Sequence, residues 1–424
     1  MASACNPIFR RMAMSILVLG FVPELAAQEG GWQADPEVIA RWTQQRPQHI
    51  WTEEAIPEYT LPDPLRFADG TLVQTPEQWA ARRAEILESF RTYVYGRRPG
   101  NAAFQRINIV EEDRSAMDGA ATLRRIAITS EQDGRSHTFE LILFVPNAAT
   151  GPVPVFLLIN NRTADITDPT RAQRSPFWPA EEVIARGYGI AAIQYGELAP
   201  DNARRYREGV ITLFEGDAAA GERPGDAWMA IAAWGWGASR AMDYFQTDPR
   251  VDASRVALIG HSRGGKAALW AGAEDERFAL IISNESGEGG AALARRRFGE
   301  TTAAINNAFP HWFAGNFKAF NDNEDAIPVD QHMLLSLIAP RALYVGSADE
   351  DLWADPRGEF LSLVHSSPVY ALWGHEAIRP EDMPPLDQPL TVGPRGYHVR
   401  RGDHDLTLQD WQYYMDFADR LWGR

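Results

Sequence analysis

RVALIGHSRGGKAALWAGA, residues 255–273, joins a short apolar run to a helix-forming one through a glycine-flanked serine. Arg255–Ile259 has the valine and isoleucine content of a buried strand, while Gly264–Ala273 is rich in alanine and leucine, which favour helix. Between them GHSRG satisfies G-x-S-x-G at 260–264. In a nucleophile elbow the serine sits on a strained strand-to-helix turn, with Oγ projecting over the sheet edge. Side chains two residues to either side would clash there, which is why both positions are glycine. The pentapeptide also occurs in ordinary tight turns; the strand before it and the helix after it select the elbow. Ser262 is the expected nucleophile.

Outward from the elbow, apolar runs recur at 139–145 (FELILFV), 153–159 (VPVFLLI), 189–194 (GIAAIQ), 279–283 (ALIIS) and 341–345 (RALYV). Several are continuously apolar, as strands covered by helices on both faces must be. Helical segments fall between them, notably 226–246, and a helix with apolar positions at Trp79, Ile86, Leu87, Phe90 and Val94 precedes them over 77–95. Strand-then-helix alternation of this length predicts a mostly parallel, doubly wound α/β sheet, and with the nucleophile elbow on it the expected fold is an α/β-hydrolase three-layer sandwich. Residues 28–75, rich in proline and tryptophan without clear periodicity, read as a wrap over the surface, and 376–395 as a long surface loop. No change of composition divides 28–424, so one domain is expected, with 28–95 as its N-terminal wrap.

The net charge is −16, and only Lys266 and Lys318 among the basic residues are lysine. A chain this acidic lacks the basic clusters that nucleic acid or anionic lipid demands. One cysteine, Cys5, excludes an intrachain disulfide framework and a thiolate zinc cluster. Residues 1–27 carry Arg10 and Arg11, an apolar run from Met12 to Val22, and small residues at Ala26 and Ala27. That is the layout of a cleavable secretory signal, and the run is too short for a spanning helix. A secreted or periplasmic protein without membrane attachment in its mature form is expected, as a monomer.

A serine nucleophile needs a base, and on this fold the order is serine, acid, histidine. Of the six histidines after Ser262, His404 lies in the polar loop RRGDHDLT (400–407), just before a final helix at 408–422. That is where the fold delivers its base. His398 is the next candidate, though Tyr397 and Val399 beside it suggest a short strand. The acid has two possible homes: Glu285 in NESGEGG (284–290), after strand 279–283, and Asp351 in SADEDLW (347–353), after strand 341–345. Glu288 and Asp349 read as solvated loop carboxylates.

GHSRGGK (260–266), NESGEGG (284–290), DEDLWADPRGEF (349–360) and GDHD (402–405) together resemble the glucuronoyl esterases, carbohydrate esterase family 15, and the bacterial members most closely. The similarity runs from about residue 77 to the C-terminus. The 23 residues from Ser262 to Glu285 match the serine-to-glutamate spacing of the family, and His261 stands where fungal relatives have cysteine. The resemblance implies hydrolysis of the ester between 4-O-methyl-glucuronic acid on xylan and an alcohol group of lignin, or of small uronate esters, without metal or organic cofactor. It implies Ser262 as nucleophile, His404 as base and Glu285 as the principal orienting acid, with Asp351 the alternative that some bacterial relatives use. It implies Arg263 in the oxyanion hole through side chain and backbone N–H, and Lys266 and Trp353 against the sugar. Trp312, Trp228, Trp234 and Trp236 read as packing. One departure is visible: 305–318 (INNAFPHWFAGNFK) holds neither the glutamine nor the glutamate that the family offers to sugar hydroxyls, leaving Asn307 and Asn316 as substitutes. The rival readings are an acetyl xylan esterase on the same fold and a carbohydrate-binding protein without activity.

Overall fold

Ten strands hydrogen-bond into one sheet in a computed structural model that describes Met1, residues 31–216 and residues 222–424. In chain order they are β1 (Phe104–Asp113), β2 (Ala121–Gln132), β3 (Arg135–Pro146), β4 (Val153–Asn160), β5 (Gly189–Gln194), β6 (Val251–His261), β7 (Leu280–Asn284), β8 (Ala342–Ala348), β9 (Leu390–Val392) and β10 (Arg395–Arg400). Their order across the sheet is β1-β2-β3-β5-β4-β6-β7-β8-β10-β9. The run from β5 to β10 is parallel throughout, whereas β1, β2, β3 and β9 attach antiparallel at the margins.

All eight residues of β4 are buried. Val155, Leu157 and Ile159 face one hydrophobic core, and Phe156 and Leu158 face the other. The alternation of side chains along a strand therefore feeds two cores, which explains why the central strands read as continuous apolar runs. Helices Pro76–Tyr93, Ala230–Phe245 and Arg263–Glu274 close the first face, and the final helix Leu408–Trp422 packs on the second. Tryptophans 228, 234 and 236 are buried in the first core, as expected.

The register places the carboxyl ends of four neighbouring strands level with one another. His261 of β6 lies beside Asn284 of β7, Asn284 beside Gly346 of β8, and Gly346 beside His398 of β10. In an open parallel sheet this edge is where ligands bind.

Two expectations need correction. The wrap contains a regular helix, Pro36–Gln45, capped by Asp35 through the Glu37 N–H at 2.7 Å. It buries Val38 and packs Ile39 and Trp42 partly against the core. The stretch 376–395 is not all loop, since β9 lies within it and pairs with β10. Apart from Met1, the expected signal segment and Cys5 lie outside the described residues. No helix among the described residues is long and apolar enough to cross a membrane.

Candidate active site

Ser262 follows β6 directly and has φ 57° and ψ −125°, the left-handed backbone of an elbow. A side chain there costs roughly 1–2 kcal/mol relative to a relaxed residue, so the surroundings must hold it. The Ser262 N–H donates to Asn284 O at 2.8 Å, and its carbonyl accepts from the N–H groups of Gly265 (2.9 Å) and Lys266 (3.1 Å). A Cβ on Gly260 would come within 2.0 Å of Gly264 O, so the first glycine is a steric necessity. Helix Arg263–Glu274 starts at the next residue, and its opening amides have no intrahelical acceptor.

His404 sits in the turn after β10, and its ring centroid is 4.4 Å from that of His261, the residue before the serine. Its Nδ1 is 2.6 Å from Asp351 Oδ2 and 3.2 Å from Glu285 Oε2. With Nδ1 committed to carboxylates, Nε2 is the nitrogen available to a reacting hydroxyl. Burial disfavours the imidazolium, but the two carboxylates outweigh it and push His404 up to about 10.

The expectation that Glu285 is the principal partner of His404 does not match this geometry, in which Asp351 is nearer. The reason lies in what else holds Glu285. Its Oε1 accepts from Arg400 Nη2 at 2.6 Å, its Oε2 accepts from the Asp405 N–H at 3.1 Å, and its own N–H is fixed to Gly346 O at 2.7 Å. Burial pushes the Glu285 carboxyl up, against the pull of His404 and Arg400. Asp351, at the end of the turn after β8, makes its short contact to His404 and is also buried.

Glu285, Asp351 and His404 are also the one set of donor atoms among the described residues close enough to surround a cation, all within 4.8 Å. A 2.6 Å Nδ1–Oδ2 separation is a hydrogen bond; tetrahedral zinc ligands at 2.0–2.1 Å stand about 3.3 Å apart. The arrangement fits an oriented imidazole, not a metal cage.

His398 is buried in β10, with Nε2 2.8 Å from Asp410 Oδ1, and lies apart from the serine as its strand context suggests. His261 is also buried, with Nδ1 2.6 Å from Asn284 Oδ1; burial and the neighbouring His404 push its pKa well below the usual range.

Arg263 is half-buried. Its Nη1 ion-pairs with Asp201 Oδ2, and its Nε is buried without a hydrogen-bond partner. Lys266 is buried too, and its Nζ donates to the carbonyls of Ser286 (2.5 Å) and Glu288 (2.7 Å), with Glu300 Oε2 3.9 Å away. It therefore braces the loop that carries Glu285. Trp353 is half-buried beneath the N-terminal wrap: its ring stacks with Trp42 at 6.3 Å, meets His49 edge-on at 4.9 Å, and lies under Arg46 at 4.1 Å.

Sequence reasoning missed Glu300 and Asp201. Glu300 is buried, approached by Lys266, and hydrogen-bonded to Trp353, so a carboxylate does stand between the lysine and the tryptophan. It lies five residues before the segment in which a glutamate was sought. Of the two substitutes, Asn307 is exposed, and Asn316 Nδ2 is occupied by Thr92 O at 2.9 Å. Glu288 is no solvated carboxylate: it is buried, and its Oε1 accepts from the Thr302 hydroxyl at 2.6 Å. Asp349 is half-buried and accepts from the Gly402 N–H at 2.7 Å. Trp312 packs in the core as expected, but its Nε1 also donates to Asp201 Oδ1 at 2.7 Å.

Known proteins resemble this chain in sequence and fold. A family model of fungal glucuronyl esterases matches residues 128–374. Carbohydrate esterase MZ0003, from an unknown prokaryotic organism, is 40% identical over 417 residues, 92% of this chain and 94% of its own. A 4-O-methyl-glucuronoyl methylesterase of Schizophyllum commune is 28% identical over 329 residues, 74% of each chain. The solved glucuronoyl esterase from Solibacter usitatus superposes with a TM-score of 0.82 at 41% identity, covering 88% of this chain and 100% of that one. With the elbow, the strand order and these matches in agreement, this chain belongs to the glucuronoyl esterases, carboxylic ester hydrolases of the α/β-hydrolase fold.

Proposed function

We propose that this enzyme hydrolyses esters of 4-O-methyl-glucuronic acid, those joining glucuronoxylan to lignin alcohols and smaller uronate esters, through an acyl-enzyme on Ser262. The observation that carries the proposal is the meeting of an elbow serine, a carboxylate-bound histidine and a half-buried arginine at one edge of the sheet. His404 Nε2 takes the Ser262 Oγ proton as Oγ bonds to the ester carbonyl carbon. The oxyanion that forms is met by the Arg263 backbone N–H and by the unpartnered Nε of its side chain, since a cationic donor aimed at developing charge is worth several kcal/mol. The imidazolium then passes its proton to the departing alkoxide. Water attacks the acyl carbon and gives its proton to His404, which passes it to Ser262 Oγ as the C–O bond breaks to release the uronic acid.

Asp351 is the first orienting acid and Glu285 the second. Lys266, Glu300 and Trp353 are the groups proposed to receive the sugar: a cation, a carboxylate and a flat ring gathered at one place. The chemistry needs no metal or organic cofactor. We propose further that residues 28–424 act as one domain, exported to the periplasm or beyond after loss of the segment 1–27.

The test is a comparison of kcat/KM on the methyl ester of 4-O-methyl-glucuronic acid, its galacturonate counterpart and acetylated xylan. Highest activity on the glucuronate ester is expected. Dominant activity on acetylated xylan would replace the substrate assignment and leave the serine mechanism in place.

A further inference from the structure

The guanidinium of Arg263 is clamped from one side by a single carboxylate. Asp201 lies in the polar loop after the short helix Tyr195–Leu198, largely buried beside the elbow. Its Oδ2 takes the Arg263 ion pair and accepts from the Tyr195 hydroxyl at 3.2 Å. Its Oδ1 accepts from Trp312 Nε1 at 2.7 Å and lies 2.8 Å from His311 Nε2. Four donors converge on one side chain, so the cost of burying it is met by charge-assisted hydrogen bonds. Burial alone would raise the Asp201 pKa, but His311, Trp312 and Arg263 overcome that and hold it at about 2.

The guanidinium also has two aromatic neighbours. Its central carbon lies 4.8 Å from the Trp312 ring centroid and 5.4 Å from that of Phe309. Those two rings stack on each other at 3.7 Å with only 3° between their planes. One corner of the cation is tied to Asp201 and its central carbon lies beside the edge of the stacked rings, while the buried Nε has no partner. A long, flexible side chain carries about 2 kcal/mol of rotamer entropy, and a donor helps a developing oxyanion most when it needs no reorganisation as the charge appears.

We propose that Asp201 is a positioning residue for catalysis. Its ion pair sets the Arg263 guanidinium so that Nε faces the ester carbonyl at Ser262, and His311 and Trp312 in turn fix Asp201. The inference rests on the oxyanion reading of Arg263 given above. It differs from a purely structural role, because a structural carboxylate would act on stability and not through Arg263. It also differs from charge neutralisation, in which Asp201 would weaken the arginine and its removal would raise kcat.

The experiment is a double-mutant cycle on kcat and KM with the methyl ester of 4-O-methyl-glucuronic acid, using Arg263→Ala, Asp201→Asn and the pair. Arg263→Ala is expected to lower kcat about 10²-fold. Asp201→Asn is expected to lower kcat about tenfold or more with KM within about threefold, the signature of an interaction made in the transition state. In the Arg263→Ala background, Asp201→Asn should cost nothing beyond about twofold. Multiplying effects, a loss confined to KM, or a rise in kcat would each overturn the inference while leaving the oxyanion reading intact. Should Arg263→Ala retain its kcat, the oxyanion reading itself fails, and the inference falls with it. Trp312→Phe removes one donor to Asp201 and keeps an aromatic ring, so it serves if Asp201→Asn does not fold. It should lower kcat in the wild-type background only, and an equal loss in both backgrounds would overturn the inference.

Discussion

His404 Nδ1 and Asp351 Oδ2 stand 2.6 Å apart, the shorter of the two carboxylate contacts that the imidazole makes. Asp351 follows β8, while Glu285, at 3.2 Å, follows β7, so acids from two neighbouring strands address one nitrogen. Asp351→Ala is therefore expected to cost more activity than Glu285→Ala. The double variant should lose far more than either, because each remaining acid still holds the tautomer that exposes Nε2. Steady-state kcat for the three variants decides it; a mild Asp351→Ala beside a crippled Glu285→Ala would reverse the assignment.

Stability should follow the opposite order. Glu285 neutralises Arg400, which is buried with it and, among the described residues, has Asp410 at 2.8 Å as its one other carboxylate partner. Glu285→Gln leaves that guanidinium partly unpaired and is expected to lower stability by about 1–3 kcal/mol. Asp351→Asn removes no arginine partner among the described residues but gives up the short contact to the His404 imidazolium, so a smaller loss is expected. Thermal unfolding of the two variants side by side checks this.

The histidine also sets a pH dependence with a definite sign. Burial works against the cation, but Asp351 and Glu285 favour it and lift the His404 pKa above its ordinary 6.5. Activity needs the neutral ring, so kcat/KM of the free enzyme should rise with pH until His404 loses its proton. Asp351→Asn withdraws a negative charge, destabilises the imidazolium, and moves that rising limb to lower pH by about 1 or more. A limb that stayed in place would mean another group titrates.

Ser262→Ala should lose at least about 10³-fold in kcat and still fold. Alanine meets the same backbone conformation as serine, and no hydrogen bond from the Ser262 side chain helps to hold the turn among the described residues. Circular dichroism and melting temperature near wild type, together with loss of labelling by a fluorophosphonate, are the expected results.

Glu300→Gln tests the sugar assignment. Its carboxylate lies between Lys266 and Trp353 and feels the charges of Asp351 and His404, with no hydrogen bond to either among the described residues. KM for the glucuronate ester should rise severalfold with kcat changed much less, the mark of binding shared by ground and transition states. An equal fall in kcat would place Glu300 in the chemistry instead.

The sheet's centre was legible because β4 to β8 are apolar on both faces, and a run such as Val153–Ile159 has no reading as an exposed element. The margins were not: β1 carries polar and charged residues along most of its length and is largely exposed, so neither periodicity nor composition marks FQRINIVEED as a strand. Ser262 and His404 could be read because short motifs and chain order describe them. Asp201 could not, since its partners Arg263, His311 and Trp312 lie 62 to 111 residues away. Nothing local distinguishes it from Asp168 or Asp226. The role of Lys266 against the sugar was read from the family resemblance, and the structure adds a pair of loop carbonyls at its tip.

Ser262 and Glu285, at the ends of adjacent strands, both have positive φ, 57° and 47°, where glycine alone is comfortable. The edge that does the chemistry is thus also where the backbone is least relaxed, and the surrounding sheet must be rigid enough to keep it so. Without the reaction, glycine at 262 would relax the backbone, whereas Glu285 also holds buried Arg400 and could not be given up without cost. The strain at 262 is thus carried for turnover, while the strain at 285 is carried for turnover and for the buried ion pair together.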